Sequence, residues 1–84
     1  MQQNTAADAQ TAASCHIGKI IESELRSQGH TVSWLGRCLN CNRRNVYNIF
    51  SRQYIDTGLL LRISGILGVD FFKYYSEELT RRSS

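Results

Sequence analysis

Asparagines, arginines and a tyrosine are concentrated in one short stretch of the chain, and such side chains can bind nucleic acids. The stretch contains Asn42, Arg43, Arg44, Asn45, Tyr47 and Asn48. Arginine can donate two hydrogen bonds to guanine, asparagine can donate to and accept from adenine, and both can contact phosphate. If one helix carries these residues, its polar face could enter the major groove of DNA.

The excess positive charge of the chain lies in the same region. Residues 31–54 contain Arg37, Arg43, Arg44 and Arg52 and no acidic residue, a local charge of +4. The rest of the chain carries six basic and seven acidic groups, which gives −1 and a net charge of +3. Ordinary solvated surfaces mix their charges. The segregation therefore favours a surface that binds phosphates, with a plain solvated helix face as the alternative.

The residues around this stretch predict two short helices joined by a tight turn, which would position the polar face. Apolar side chains at helical spacing predict one buried stripe on each helix. They are Leu35, Leu39, Cys41, Val46 and Ile49. Gly36 leaves room for the second helix to approach the first, and Asn40 tolerates the left-handed backbone of a sharp turn. Thr31 and Asn42 are the expected N-caps.

Taken together, these features resemble the phage-repressor and Cro-like helix-turn-helix family, also called the XRE type. The resemblance runs from about residue 17 to 75. It depends on Ile17-Gly-Lys, Gly29-His-Thr, residues 32–50, Leu60-Leu-Arg-Ile-Ser and Ile66-Leu-Gly-Val-Asp-Phe. It implies a compact five-helix, lambda-repressor-like domain whose third helix, about residues 43–50, reads the major groove. The implied function is a sequence-specific regulator of transcription that binds double-stranded DNA, most simply a repressor.

The resemblance also implies roles for individual residues. Arg43, Arg44 and Asn48 match the positions that reach base edges, and three neighbours match positions that contact bases or backbone. These neighbours are Asn42, Asn45 and Tyr47. Arg37 and Arg52 are expected to hold phosphates. The chain departs from the family at its first motif position, where Val32 replaces the usual glutamine and removes one expected phosphate contact.

The remaining segments predict three more helices and no strand, so the predicted class is all-α. We expect helix one at 16–28, a fourth helix capped by Asp56 and a last helix capped by Asp70. Eighty-four residues suffice for one small domain, placed at 15–79. Residues 1–14 lack branched aliphatic and aromatic groups and predict a disordered tail, and 80–84 predict a flexible C-terminal tail. Without a secretory signal or membrane-length segment, a bacterial cytoplasmic location is expected.

The last predicted helix carries more large side chains than one buried face can accommodate. Phe71, Tyr74 and Tyr75 fit the core face, which leaves Phe72 and Leu79 pointing elsewhere. These two side chains could cover the domain's own surface. They could instead form a homodimer seam, because family members bind paired half-sites about 34 Å apart.

The cysteines and the acidic residues give no support for a metal site or for catalysis. Cys38 and Cys41 have half the spacing of a zinc site, but structural zinc needs four ligands, so no metal and no cofactor are predicted. Cytoplasmic thiols also stay reduced. No nucleophile or general acid lies beside an obvious activating partner, so the chain is not expected to be an enzyme.

Two other functions remain open from the residues alone. The aromatic C-terminal helix could bind a protein partner, as in an antitoxin or anti-repressor, or the basic surface could bind nucleic acid, including RNA, without sequence preference. Trp34 is expected to lie across a neighbouring helix, and His30 to be solvated.

Overall fold

Five α-helices and their connections make up residues 15–83, which are the residues that this computed structural model describes. They are α1 (Ile17–Ser27), α2 (Val32–Leu39), α3 (Arg43–Ser51), α4 (Thr57–Leu67) and α5 (Phe72–Ser83). The described residues contain no strand, so the all-α prediction is confirmed for them. The predicted disordered tail, 1–14, lies outside the described residues. The predicted domain end at residue 79 lies inside α5, which continues through 80–83 instead of giving way to a tail.

The helix boundaries follow from local capping by side chains. Thr31 Oγ1 accepts from the Trp34 N–H at 3.0 Å, and Asp56 Oδ1 accepts from the Leu59 N–H at 2.8 Å. Each bond satisfies an N–H group that the first turn of a helix leaves unpaired. Asn40 ends α2 with a φ of 59°, in the left-handed region, as its place in the turn predicted.

One apolar face of each helix contributes to a single core. The buried side chains are Ile17, Ile21, Leu25, Val32, Leu35, Leu39, Val46, Ile49, Phe50, Leu60, Ile63, Leu67 and Phe71. Burial of each large aliphatic side chain stabilises the fold by about 1.5–3 kcal/mol. Of the five apolar residues predicted for α2, the turn and α3, four are buried and Cys41 is half-buried. Phe50, which was not in the predicted stripe, is 5% exposed.

The start of α1 contacts the end of α3 backbone to backbone. The Ile17 N–H donates to the Gln53 carbonyl at 3.1 Å, and the Gly18 N–H donates to the Arg52 carbonyl at 3.0 Å. A Cβ placed on Gly18 would lie 2.4 Å from the carbonyl oxygens of Ile49 and Phe50. Only glycine therefore permits this approach, which supports α3 from behind.

The turn between α2 and α3 is fixed in a similar way. The Cys41 N–H donates to the Gly36 carbonyl at 2.8 Å. A Cβ on Gly36 would lie 2.8 Å from the Cys41 carbonyl oxygen, so the turn folds closely over this position. The expected need for a small residue at Gly36 is confirmed, with the turn backbone as its main neighbour. Helix α3 is thus held by α1 at its end and by the turn at its start.

Candidate nucleic-acid interface

Helix α3 has one buried face and one face open to solvent. Val46 is fully buried, and Ile49 and Phe50 are 6% and 5% exposed. Arg44 and Asn48 lie about 160° around the helix from Val46, in opposite directions. Both side chains are exposed. They are separated by one helical turn and occupy the centre of the outward face.

The other predicted contact residues of α3 lie on its two flanks. By helical position, Arg43 and Tyr47 share one flank, and Asn45 lies on the other. All three are exposed. The Tyr47 ring meets the buried Phe50 ring edge to face, with centroids 6.0 Å apart, so one side of this exposed ring rests on the core.

Asn42 has a structural role in addition to any contact with a ligand. Its Oδ1 accepts from the Asn45 N–H at 2.9 Å and caps α3. The prediction that Asn42 is the N-cap is confirmed. The amide group of Asn42 is exposed but still has two N–H donors, so it could donate to a phosphate while its oxygen stays bound to the helix.

The four arginines of residues 31–54 are all exposed. Within the described residues, no carboxylate forms an ion pair with Arg37, Arg43, Arg44 or Arg52. The acidic partners found there belong to other surfaces: Glu22 pairs with Arg26, and Glu78 pairs with Arg81 and Arg82. The cationic surface therefore keeps its charge uncompensated by nearby carboxylates, as the charge pattern predicted.

Arg62 also belongs to this surface, although it lies outside the acid-free segment 31–54. It lies on α4 and, together with Asn45, Asn48 and Arg52, lines a cleft between α3 and α4. Its Nη2 donates to the Cys38 carbonyl at 3.4 Å. Arg62 was not among the predicted contact residues because it lies outside residues 31–54, and only the packing of α4 brings it into the same cleft as Arg52.

The predicted homodimer residues differ in their surroundings. Leu79 is 67% exposed. Phe72 is half-buried against the core, so the prediction that it points away from the core is wrong in part. Phe72 also lines an apolar groove with Tyr54, Ile55 and Tyr75. Leu79 lines a neighbouring cavity that shares Tyr54 and Tyr75 with this groove, so the two apolar features are continuous.

The cysteines of the described residues form no disulfide with one another. Cys15, Cys38 and Cys41 are free thiols. Among residues 15–83, no three His, Cys, Asp or Glu side chains are grouped so that they could hold a metal ion. In the same part of the chain, no helix has the length and apolar character needed to cross a bilayer.

Comparison with known proteins gives no relative. The chain matches no protein family, and no curated protein and no solved structure is significantly similar to it.

Proposed function

We propose that this protein is a sequence-specific regulator that binds double-stranded DNA by placing α3 in the major groove, in the manner of lambda-repressor-like helix-turn-helix domains. One observation carries the proposal. Arg44 and Asn48 project from the centre of the outward face of α3, while the other face is held by the core and by α1. A helix with its side chains is about 10–12 Å across. The major groove of B-DNA is about 12 Å wide, so the two fit.

In this proposal the position of each residue on or beside α3 determines which part of the DNA it contacts. Arg44 donates two hydrogen bonds to a guanine, and Asn48 pairs with an adenine one turn further along. Arg43 on the flank reaches a neighbouring base or phosphate. Asn45 and Tyr47, with the amide of Asn42, contact bases or backbone. Arg37 and Arg52 hold phosphates and set the register of the helix on the duplex.

The support behind α3 matters for specificity. A binding surface that is already ordered loses less conformational entropy when its ligand arrives. The Gly18 contact and the folded turn at Gly36 fix both ends of α3 before DNA is present. An ordered α3 surface therefore supports a reader of base sequence. We propose that the protein acts in the bacterial cytoplasm by occupying an operator, as a binding protein and not as an enzyme.

Two-fold pairing of the protein would follow from a second feature, the apolar surface of α5. Phe72, Tyr75 and Leu79 lie on one stripe of the helix, at i, i+3 and i+7. We propose that a second copy packs on this stripe and on the groove at Tyr54. Two α3 helices could then reach half-sites about 34 Å apart. Leu79→Glu is the appropriate test variant, because Phe72 also packs against the core. It should convert a dimer to a monomer in light scattering.

The same apolar groove supports a second candidate function, in which the domain binds a different protein as an antitoxin or anti-repressor. In that case a stoichiometric partner would copurify, and Leu79→Glu would release it. A non-specific binder of nucleic acid is distinguished by its indifference to sequence.

Selection of bound sites from a pool of random duplexes tests the proposal. The expected result is an enriched motif whose affinity falls steeply as salt rises. Salt-dependent binding without an enriched motif would favour the non-specific binder. No binding to any duplex, together with a copurifying protein, would favour the protein-interaction function and overturn the proposal.

A further inference from the structure

The cleft between α3 and α4 combines two cations with an apolar floor. Arg52 follows the last residue of α3, and Arg62 lies on α4, so the two guanidinium groups come from different elements. Asn45 adds an amide to the rim. Leu39 and Ile49 line the bottom and are 7% and 6% exposed. Within residues 15–83, no carboxylate pairs with either arginine. Such a site would attract a small anion.

Arg62 makes one long hydrogen bond to the protein, at 3.4 Å. Its Nη2 donates to the carbonyl of Cys38, in the last turn of α2. The last carbonyls of a helix have no partner within the helix, and a cation is favoured at this end. A guanidinium has five N–H donors, so this bond leaves others to hold an anion.

The position of the cleft indicates which anion it would hold. A helix in the major groove points its outward face at base edges, while its flanks face the groove walls, which the phosphate backbones form. Asn45 and Arg52 lie on the flank, about 100–120° from Val46. Arg44 and Asn48 occupy the outward face. Asn48 also lines the cleft, at its border with the outward face, so the Asn45 and Arg52 side of the cleft would meet backbone.

We propose that this cleft binds one phosphodiester of the DNA backbone, gripped jointly by Arg52 and Arg62. The inference rests on the proposed function and extends the interface from α3 to α4. A single shared phosphate has a measurable consequence. Each phosphate neutralised on B-DNA contributes about 0.9 to the slope of log K against log salt. Loss of both arginines should lower the slope by about 0.9, not by twice that amount.

The experiment measures the affinity for the selected duplex and a random duplex across a salt series. The variants are Arg62→Gln, Arg52→Gln and the double substitution, with Arg26→Gln as the control. Arg26 is an exposed arginine on α1 that pairs with Glu22. Arg62→Gln should weaken both duplexes equally, on the order of tenfold. Arg26→Gln should leave the slope unchanged.

Thermal unfolding and a phosphate titration make the other outcomes decisive. If Arg62→Gln lowers the melting temperature but leaves the affinity for both duplexes unchanged, Arg62 only ties α4 to α2 and the proposal is overturned. A double variant that loses about 1.8 in slope would show two separate phosphates and also overturn it.

Inorganic phosphate at constant ionic strength should shift the Nε–H signals of Arg52 and Arg62 in NMR spectra, and Arg62→Gln should abolish the shift of Arg52. If these shifts occur in a protein that binds no duplex, the anion site stands while the proposed function fails. If the protein binds DNA but shows none of these slope effects, the proposed function stands and the shared phosphate site is overturned.

Discussion

His30 and Trp34 stack face to face beside the start of α2. Their ring centroids are 3.7 Å apart and their planes differ by 7°. Both residues are half-buried, and Thr31, which caps α2, lies between them in the chain. The prediction that His30 is solvated is therefore wrong. Trp34 was expected to lie across a neighbouring helix. It covers His30 in the connection before α2 and also packs against the core.

Removal of this stack should destabilise the start of α2. His30→Ala should lower the free energy of unfolding by about 0.5–1.5 kcal/mol, the usual contribution of an aromatic pair beyond its buried area. Since Trp34 is the only tryptophan of the chain, all tryptophan emission comes from this side chain and changes with its surroundings. Denaturant unfolding followed by tryptophan fluorescence measures the loss in free energy of unfolding and the change in Trp34 emission. His30→Phe keeps a flat ring and should retain most of the stability. Equal loss in both variants would show that stacking is not the cause.

Gly18 should be the least replaceable glycine of the described residues. Gly18→Ala places a methyl group 2.4 Å from two carbonyl oxygens at the end of α3. Since these atoms belong to backbone, α1 and α3 must separate. We expect a loss of about 1–3 kcal/mol in the free energy of unfolding, as for other overpacked sites. The affinity for DNA should also fall, because the support of α3 is displaced.

Gly65 on α4 provides the matched control for this substitution. A Cβ there would meet no atom within 4 Å. Gly65→Ala should therefore stabilise the protein by about 0.5–1 kcal/mol through helix propensity. Unfolding by denaturant, with the same slope for both variants, measures the difference. If Gly18→Ala were as stable as Gly65→Ala, the close approach of α1 to α3 would be incorrect.

Most of the correct predictions depend on interactions between residues that are close together in the sequence. The caps at Thr31, Asn42 and Asp56 and the left-handed turn at Asn40 depend on residues at most three positions away, so they can be found without the fold. The buried stripe of Val46 and Ile49 follows from helical spacing. Each of these features is present in the structure.

Features that depend on distant contacts could not be predicted in the same way. Gly18 matters because α3 ends against it, and the two segments are more than thirty residues apart in the chain. Arg62 joins the cationic surface only after α4 packs beside α3. Glu78 is buried at 6% exposure and pairs with Arg81 and Arg82, which helps to explain why α5 continues where a tail was expected.

Alkaline pH should destabilise the protein through Cys15 and Tyr75. Burial raises the pKa of the Cys15 thiol above its usual value, against the attraction of Arg81 and Arg82. Burial also raises the pKa of Tyr75, with smaller contributions from Cys15 and Tyr54. The unfolded chain therefore loses these protons at lower pH than the folded protein. The stability is complete below the ordinary pKa values of 9.0 and 10.0 and falls as pH rises through and above them.

Denaturant unfolding between about pH 8 and 11, under reducing conditions, measures this loss. Tyr75→Phe removes one ionisable group without changing the ring and should flatten the upper part of the decline. Cys15 should also react with a thiol reagent more slowly than Cys38, since its thiolate is disfavoured. An unchanged pH profile in Tyr75→Phe would show that the phenol contributes nothing.

The separation between base contacts and phosphate contacts is the sharpest prediction for α3. Arg44→Ala should cost about 1–3 kcal/mol on the selected duplex and relax the preference at one base position. Asn48→Ala should act in the same way at a second position, one helical turn away. Arg52→Ala should instead weaken every duplex alike and reduce the salt slope by up to about 1.

These expectations follow from where the side chains point: Arg44 and Asn48 lie on the outward face, and Arg52 lies beside a flank. Affinities for the selected duplex and for single-base variants of it, measured at several salt concentrations, separate the two kinds of contact. A variant of Arg44 that lost the same affinity on selected and random DNA would mean that its guanidinium holds phosphate. In that case α3 would not read guanine at this position, and sequence preference would have to come from Asn48 and its neighbours.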